Sequence, residues 1–333
     1  MRSGHAGRGW WIALAAIVLL VIVARLAMPA IVKSVVNHKL ETMPGGYQGS
    51  VEDVAVRILD GEIGLRNFRI VKKNGLVPVR FMAVKELVLG TVRDSWRLRT
   101  VLRFVEPNAS FVQNDAEAKK QWGPPHTLDH LQEQLPFQLL RVEIEDGQAH
   151  FRDFQTKPDI DAYATKLNIV WDKLVGCLPP GSSACRSNLE GRANVMKTGK
   201  LKLKGTFERS PKVDFKLNAA LDNLRAAELN PPLTKFAKID VKKGTVDLDA
   251  RYDRKGDSHD ILLVPYLSDF EVAGSDDKKG TSFFRELGVA AAAGFFERRK
   301  GEKAVSIKSR PGGDTDFKLV DSPQKKAAEK AKD

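Results

Sequence analysis

Apolar and polar residues alternate along much of the chain, and one ten-residue phrase with this alternation occurs three times. The copies are VRILDGEIGL from Val56, VEIEDGQAHF from Val142 and IDVKKGTVDL from Ile239. In each copy two apolar residues stand one position apart, a Gly follows, and small or apolar residues alternate beyond it. Alternation with period two is typical of β-strands, and a Gly between two such runs indicates a tight turn. Each copy therefore predicts a β-hairpin.

The three copies lie far apart in the sequence, which favours one large meandering antiparallel sheet over a small repeat module. The predicted fold class is mainly β: a long, curved antiparallel sheet that forms an open groove, with a transmembrane helix before it and an amphipathic helix near the C-terminus. Alternating apolar positions of the three copies are predicted to line the groove, and these are Val56, Ile58, Ile63, Leu65, Val142, Ile144, Phe151, Ile239, Val241, Val246 and Leu248.

The same positions would also suit an ordinary closed core, because alternation does not distinguish a packed interior from an open groove. The cover in that alternative would be a helix predicted over residues 282–300, SFFRELGVAAAAGFFERRK. Its apolar residues fall three or four apart and cations occupy its last turn. Its Phe residues and cations also match a helix that lies on a membrane surface or binds a partner.

Composition divides the chain into three parts. Residues 1–33 are predicted to form a cytoplasmic tip and a membrane anchor, and residues 34–310 an exported β-domain. Residues 311–333 are predicted to be a charged, disordered tail. Within the β-domain, residues 116–136 are polar, contain adjacent prolines and are predicted to be an insertion.

The N-terminal segment predicts a transmembrane helix. Residues 10–24 are apolar without interruption, and the apolar run resumes from Leu26 to Val32. A helix over this stretch rises about 35 Å, which is enough to cross a hydrocarbon core of about 30 Å. Trp10 and Trp11 suit the membrane interface, and Arg25 can extend its side chain toward water.

Arg2 and Arg8 precede the apolar stretch and favour a cytoplasmic N-terminus. A cleaved secretory signal is the alternative interpretation of the same segment. Either interpretation places the rest of the chain on the exported side of the membrane.

The chain contains two cysteines, Cys177 and Cys185, on either side of the turn-rich sequence LPPGSSA. In an oxidising compartment we expect a disulfide that closes this short loop. A metal site is the weaker alternative, since no His or further Cys is near enough in the sequence to complete a tetrahedral set.

The formal net charge is +12, which would suit anionic lipid head groups, lipopolysaccharide or nucleic acid. Most Lys and Arg residues occupy the polar positions of predicted strands, as in KLKLKG over residues 200–205, which indicates a solvated sheet face. No stacking motif, helix-turn-helix pattern or zinc spacing accompanies the charge, so no nucleic-acid partner is expected.

No motif in the sequence indicates catalysis. His126 and His130 are four residues apart but lack the Glu that a zinc protease carries between its histidines. Four Asp residues between Asp146 and Asp161 are explained by turn chemistry. A nucleophile elbow and a phosphate loop are both missing from the sequence. We therefore expect neither enzymatic activity nor a cofactor or metal.

Several longer phrases, in a fixed order over residues 9–300, resemble the AsmA-like envelope proteins, and in particular a compact subgroup known as a domain of unknown function. The phrases are PGGYQGSVEDVAV from Pro44, EIGLRNFRI from Glu62, LLRVEIEDGQAHFRDF from Leu139, LDNLRAAELNPPLTKFAKIDVKKGTVDL from Leu221 and LVPYLSDFEV from Leu263. None of them is diagnostic alone.

The resemblance implies an anchor in the inner membrane of a diderm bacterium, an antiparallel β-groove in the periplasm, and a role in phospholipid traffic or outer-membrane homeostasis. The function expected is the binding and transfer of a phospholipid or another acyl lipid in the apolar groove. The alternative is a structural or assembly adapter that recruits envelope proteins through exposed sheet edges. The sheet is too short to bridge both membranes unless copies or partners stack.

Overall fold

The structure is a computed structural model that describes residues 6–41, 47–57, 60–72, 81–94, 97–113, 139–154, 159–174, 185–210, 212–234, 240–256, 258–273, 303–309 and 316–323. The predicted insertion over residues 116–136, the predicted helix over residues 282–300 and His126 and His130 lie outside these ranges. Cys177 also lies outside them, so the predicted disulfide stays a prediction.

One long helix and 14 strands make up most of the described chain. The helix α1 spans Ala6–Glu41. A 3-10 turn over Ala226–Leu229 and a one-turn helix over Asn230–Pro232 lie between β10 and β11. The strands are β1 (Tyr47–Ser50), β2 (Asp53–Arg57), β3 (Glu62–Lys72), β4 (Met82–Asp94), β5 (Arg97–Gln113), β6 (Leu139–Asp153), β7 (Ile160–Asp172), β8 (Cys185–Val195), β9 (Gly199–Ser210), β10 (Lys212–Arg225), β11 (Asp240–Lys255), β12 (Ser258–Ala273), β13 (Lys303–Ser309) and β14 (Asp316–Asp321).

All of these strands belong to one open sheet whose order follows the sequence. From β3 to β14 each strand pairs with its sequence neighbours, while β1 and β2 both pair with β3. The pairs are antiparallel except β5 and β6, which run parallel. A parallel pair needs a crossover connection, and the long segment over residues 114–138 joins these two strands. The predicted large antiparallel sheet is thus confirmed, with one parallel exception.

Of the three predicted hairpins, the first is confirmed and the other two are wrong. β2 and β3 form a hairpin in which Arg57 pairs with Glu62 and Gly61 has a φ of 63°. The second copy lies within the continuous strand β6, and the third, from Asp240 onward, lies within the continuous strand β11. There Asp146 (φ 51°) and Gly244 (φ 118°) accompany shifts of register, which are β-bulges and not chain reversals.

Left-handed residues occur at corresponding positions in several strands of the sheet. Asn67, Glu106, Asp146 and Lys166 lie in β3, β5, β6 and β7, and each has a φ between 47° and 51°. A left-handed residue interrupts the regular pleat, so the side chains beyond it change face.

The effect on the apolar pattern is visible in β3. Leu65 and Phe68 are three residues apart and would lie on opposite faces of a regular strand. Both pack in one apolar cluster, because Asn67 between them restores the same face. In β3 the left-handed Asn67 therefore keeps apolar residues on one side of the sheet beyond the interruption.

A cluster of buried apolar residues lies where α1 meets the first strands. Its centre is at most 8% exposed and consists of Val51, Val54, Phe68 and Val84. The C-terminal half of α1 packs against this cluster through Val32, Val36 and Leu40. One end of the sheet is thus attached to the end of the long helix.

The helix α1 is continuous over 36 residues. Among the residues that the structure describes, no helix is both long enough and apolar enough to cross a membrane. The side chains of Trp10 and Trp11 lie outside the described set, and Arg25 is exposed.

The C-terminal part of the sheet departs from the sequence prediction. β14 falls within residues 311–333, which were expected to be disordered, and it pairs antiparallel with β13 from Asp316 to Asp321. The prediction is wrong for this segment because its short apolar alternation, Phe317 and Leu319, faces Ile307 and Val305 across the pair.

Candidate functional site

Two adjacent rows of apolar residues cross the sheet from β2 to β14. In each row every residue is the direct cross-strand partner of the next, so both rows lie on one face. The first apolar row consists of Val54, Leu65, Leu87, Phe104, Ile144, Ile169, Gly191, Leu203, Ala219, Ala250, Leu263, Val305 and Leu319.

The second apolar row lies two residues away from the first along each strand. It consists of Val56, Ile63, Leu89, Leu102, Val142, Trp171, Leu189, Gly205, Leu217, Tyr252, Ile261, Ile307 and Phe317. Neither row contains a charged residue. Together they form an uninterrupted apolar band across the sheet, which we call the apolar band.

The described part of the chain leaves the apolar band partly uncovered. From β3 to β12 its residues are half-buried, apart from the buried Gly205. At the start of the band, by contrast, Val54 is 3% exposed because α1 packs over it. A half-buried apolar side chain on a sheet retains surface that a further apolar group can cover.

The other face of the sheet is charged and carries ion pairs between strands, one of which reaches from β2 across β3 to β4. Arg103 lies 3.2 Å from Glu143, and Arg57 lies 2.7 Å from Glu86. The hydrogen bond and charge of Glu86 raise the pKa of Arg57 above its usual value. Lys85 also pairs with Glu106 on this face. Most cations of the described sheet therefore face water, as the sequence predicted.

The predicted groove-lining residues divide into four groups. Val56, Ile63, Leu65, Val142 and Ile144 belong to the apolar band and are half-buried. Phe151, Val246 and Leu248 are also half-buried but lie outside the two rows. Val241 is 2% exposed and belongs to the packed interior, while Ile58 and Ile239 lie outside the described residues.

The sequence prediction missed most of the apolar band because it started from the three repeated phrases. The missed residues include Leu87 and Phe104, which directly join Leu65 to Ile144 across β4 and β5. Their strands show the same alternation of apolar and polar residues. Only the strand register could align them with the predicted lining.

Aromatic rings are concentrated at one margin of the apolar band. Trp171 and Phe207 have ring centres 5.9 Å apart, and Phe215 and Tyr252 are also 5.9 Å apart. The Trp171 indole N–H donates a hydrogen bond to the Ser187 hydroxyl at 2.9 Å. Edge-on ring contacts of this kind fix the side chains beyond what burial alone contributes.

Glycines let neighbouring strands and side chains approach closely within the apolar band. A Cβ added to Gly205 would lie 3.0 Å from the Lys216 carbonyl oxygen, and one added to Gly191 would lie 3.1 Å from Ile169 Cγ1. Side chains of neighbouring strands, such as Leu217 at Gly205 and Ile169 at Gly191, therefore occupy the space above these glycines.

Three of the four Asp residues considered as candidate catalytic carboxylates lie in β6 and β7. Asp146, Asp153 and Asp161 lie within strands, so the turn explanation offered by the sequence is wrong for them. Asp161 lies 3.0 Å from His150 Nδ1 and 3.4 Å from Arg152 Nε. Within the described ranges no group of three or more His, Cys, Asp or Glu residues could hold a metal ion.

Two depressions, of about 490 and 470 Å³, lie beside charged side chains of the central strands. Glu190 and Lys204 line the first, and Arg192 and Lys202 line the second. No family model matches the sequence, and no curated protein matches it. The apolar band is therefore the feature from which a function can be argued.

Proposed function

We propose that the protein is a membrane-anchored lipid-binding and lipid-transfer protein of a bacterial envelope, of the AsmA-like kind. The observation that carries the proposal is the apolar band, which crosses strands β2 to β14 without a charged residue. In this account the acyl chains lie in a groove over the apolar band, while the polar head group stays outside the band. No covalent step and no cofactor are required.

The dimensions of the apolar band suit a lipid tail. Neighbouring strands are separated by about 4.8 Å, so 12 such steps from β2 to β14 extend roughly 58 Å. This is nearly twice the thickness of a hydrocarbon core, about 30 Å. Covering apolar surface is favourable by about 25 cal/mol per Å². Each strand that a lipid tail crosses would therefore stabilise its binding further.

Two observations support anchoring through α1. Large apolar side chains of the helix are exposed from Leu19 (63%) to Val35 (57%), and Leu26 is 75% exposed. The end of α1 also packs over Val54, the first residue of the first apolar row. We propose that the apolar N-terminal segment over residues 10–32 anchors the chain in the inner membrane, with the N-terminus in the cytoplasm and the sheet in the periplasm. A lipid leaving the bilayer would then enter the band at β2.

Mass spectrometry of the gently extracted full-length protein tests the proposal. We expect co-purifying phospholipid with the wild-type chain and strongly reduced lipid with Ile169→Glu, because the carboxylate would interrupt the first apolar row. Val170→Glu is the matched control, since Val170 is the adjacent residue, is 41% exposed and pairs with Glu143 and Glu190 on the charged face. A wild-type protein without lipid above background contradicts the proposal.

A second candidate function is that of an envelope assembly adapter. Among the described strands β14 pairs only with β13, so its other edge can accept a strand from another protein. An adapter of this kind would retain a protein partner and carry no lipid. The same extraction distinguishes the two functions, because it measures lipid and co-purifying envelope proteins together.

A further inference from the structure

A cationic group lies directly beside the apolar band, on the same face of the sheet. Arg254 follows Tyr252 of the second apolar row by two residues, and alternate residues of a strand share a face. Its cross-strand partners are Phe215 on β10 and His259 on β12. The band therefore ends at a guanidinium and an imidazole on one margin of β11 and β12.

The side chains of this group are held in place by specific contacts. Tyr252 and His259 stack with ring centres 5.9 Å apart and an angle of 7° between the rings. The Tyr252 hydroxyl lies 2.7 Å from His259 Nδ1, which leaves Nε2 as the available nitrogen of the imidazole. Arg254 Nε donates a hydrogen bond to the Gly256 carbonyl oxygen at 2.8 Å, and among the described residues no acceptor occupies its terminal nitrogens.

Arg254 differs from arginines on the charged face. Arg57, Arg103 and Arg251 each have a carboxylate within 3.2 Å, and Arg251 is only three residues from Arg254 on the same strand. Within the described part of the chain no carboxylate lies at ion-pair distance from Arg254. A half-buried guanidinium without a carboxylate, next to an apolar surface, has the charge that complements an anionic group attached to an apolar tail.

We infer that Arg254 and His259 bind the phosphate of a phospholipid whose acyl chain lies along the second apolar row. A guanidinium donates two parallel hydrogen bonds to a phosphate, and the imidazole Nε2 can donate a third. The inference rests on the proposed lipid-binding function and adds the contact that the protein makes with the phosphate of the lipid. Because all phospholipids share the phosphate, the site selects phospholipids as a class and not one head group.

The test compares two lipids with identical acyl chains, dioleoylphosphatidylcholine and dioleoylglycerol, by their displacement of a fluorescent acyl probe from the full-length protein in detergent. Both lipids have no net charge, so the overall charge of +12 does not favour either of them. We expect the wild-type protein to bind the phospholipid about tenfold more tightly, which is the usual gain from a charge-assisted hydrogen bond.

Arg254→Gln is expected to abolish this preference and to leave the affinity for dioleoylglycerol unchanged. Arg251→Gln is the matched control, because it removes an arginine of the same strand on the charged face. If Arg254→Gln does not fold, Arg254→Lys serves in its place and is expected to keep a reduced preference, since it retains the charge but loses the paired donors.

The outcomes separate the two proposals. Equal binding of both lipids by the wild-type protein overturns the phosphate site and leaves the lipid-binding function standing. A preference that persists in Arg254→Gln, or one that Arg251→Gln removes equally, also overturns the assignment to Arg254. Binding of neither lipid overturns the lipid-binding function itself.

Discussion

The side chain of Asn230 makes both backbone hydrogen bonds that a neighbouring strand would make to Val241. Asn230 Nδ2 donates to the Val241 carbonyl oxygen at 2.9 Å, and Asn230 Oδ1 accepts from the Val241 N–H at 2.9 Å. Asn37 of α1 holds Val51 in the same way, at 3.1 and 2.7 Å. Both valines are at most 3% exposed, so in each case a helical Asn satisfies a buried backbone pair.

Replacing Asn230 with Ala is expected to destabilise the protein by about 2 kcal/mol, because two buried backbone groups would lose their partners. The free energy of unfolding in urea measures the effect. Asn218→Ala is the control, since Asn218 is exposed and a surface substitution changes stability by about 0.5 kcal/mol or less. An Asn230→Ala variant as stable as the control would contradict the role assigned to the two hydrogen bonds between Asn230 and Val241.

The close approach at Gly147 predicts a second stability effect. A Cβ added there would lie 2.9 Å from Ile144 Cγ2 and 3.0 Å from Pro107 Cγ. We expect Gly147→Ala to cost about 1–2 kcal/mol through overpacking. Gly90→Ala is the control, because its Cβ would approach nothing closer than 3.5 Å. The midpoint temperatures of thermal unfolding of the two variants are compared. Equal midpoints would contradict the prediction and show that the sheet relaxes at Gly147 without cost.

The ionisation of Tyr266 tests the packing of β11 against β12. Burial raises the pKa of Tyr266, and the Asp249 carboxylate, which accepts a hydrogen bond from the hydroxyl at 3.2 Å, raises it further. A pH titration followed by ultraviolet absorbance, with the Tyr266→Phe curve subtracted from that of the wild type, gives the ionisation midpoint of Tyr266. This midpoint should lie above the ordinary value of about 10. Asp249→Asn should lower that midpoint.

The raised pKa of Tyr266 also predicts how the free energy of unfolding changes with pH. Because the pKa of Tyr266 is raised in the folded chain, its contribution is present in full below about pH 10, the ordinary pKa of an unfolded tyrosine, and is lost as the pH rises through the folded value. A midpoint that is unchanged or higher in Asp249→Asn would contradict the contact with Asp249.

The sequence predicted the sheet but not its register. The alternation around Ile63, Leu65 and Ile144 predicted strands with one apolar face, and these residues do lie on one face. Which residues of other strands align with them depends on long-range pairing, and no local pattern contains that information.

The sequence pattern predicted turns where the structure has bulges, and the reason is local. Asp146 followed by Gly147 is a strong turn signal, yet the chain continues as one strand through both residues. A left-handed residue serves a tight turn and a bulge equally well, so the neighbouring strands decide between them. The cation at Arg254 was missed for a similar reason, because its apolar neighbours Phe215 and Tyr252 are assembled only by the fold.

The most direct test of the central claim is site-specific photo-crosslinking in intact cells. A photoreactive benzoyl-phenylalanine is introduced at Leu203 in the first apolar row, and separately at Lys204, whose side chain is 77% exposed on the charged face. The account predicts a phospholipid adduct at position 203 and none at position 204. An absence of lipid at position 203, or equal labelling at both positions, would contradict the proposal that the apolar band holds lipid.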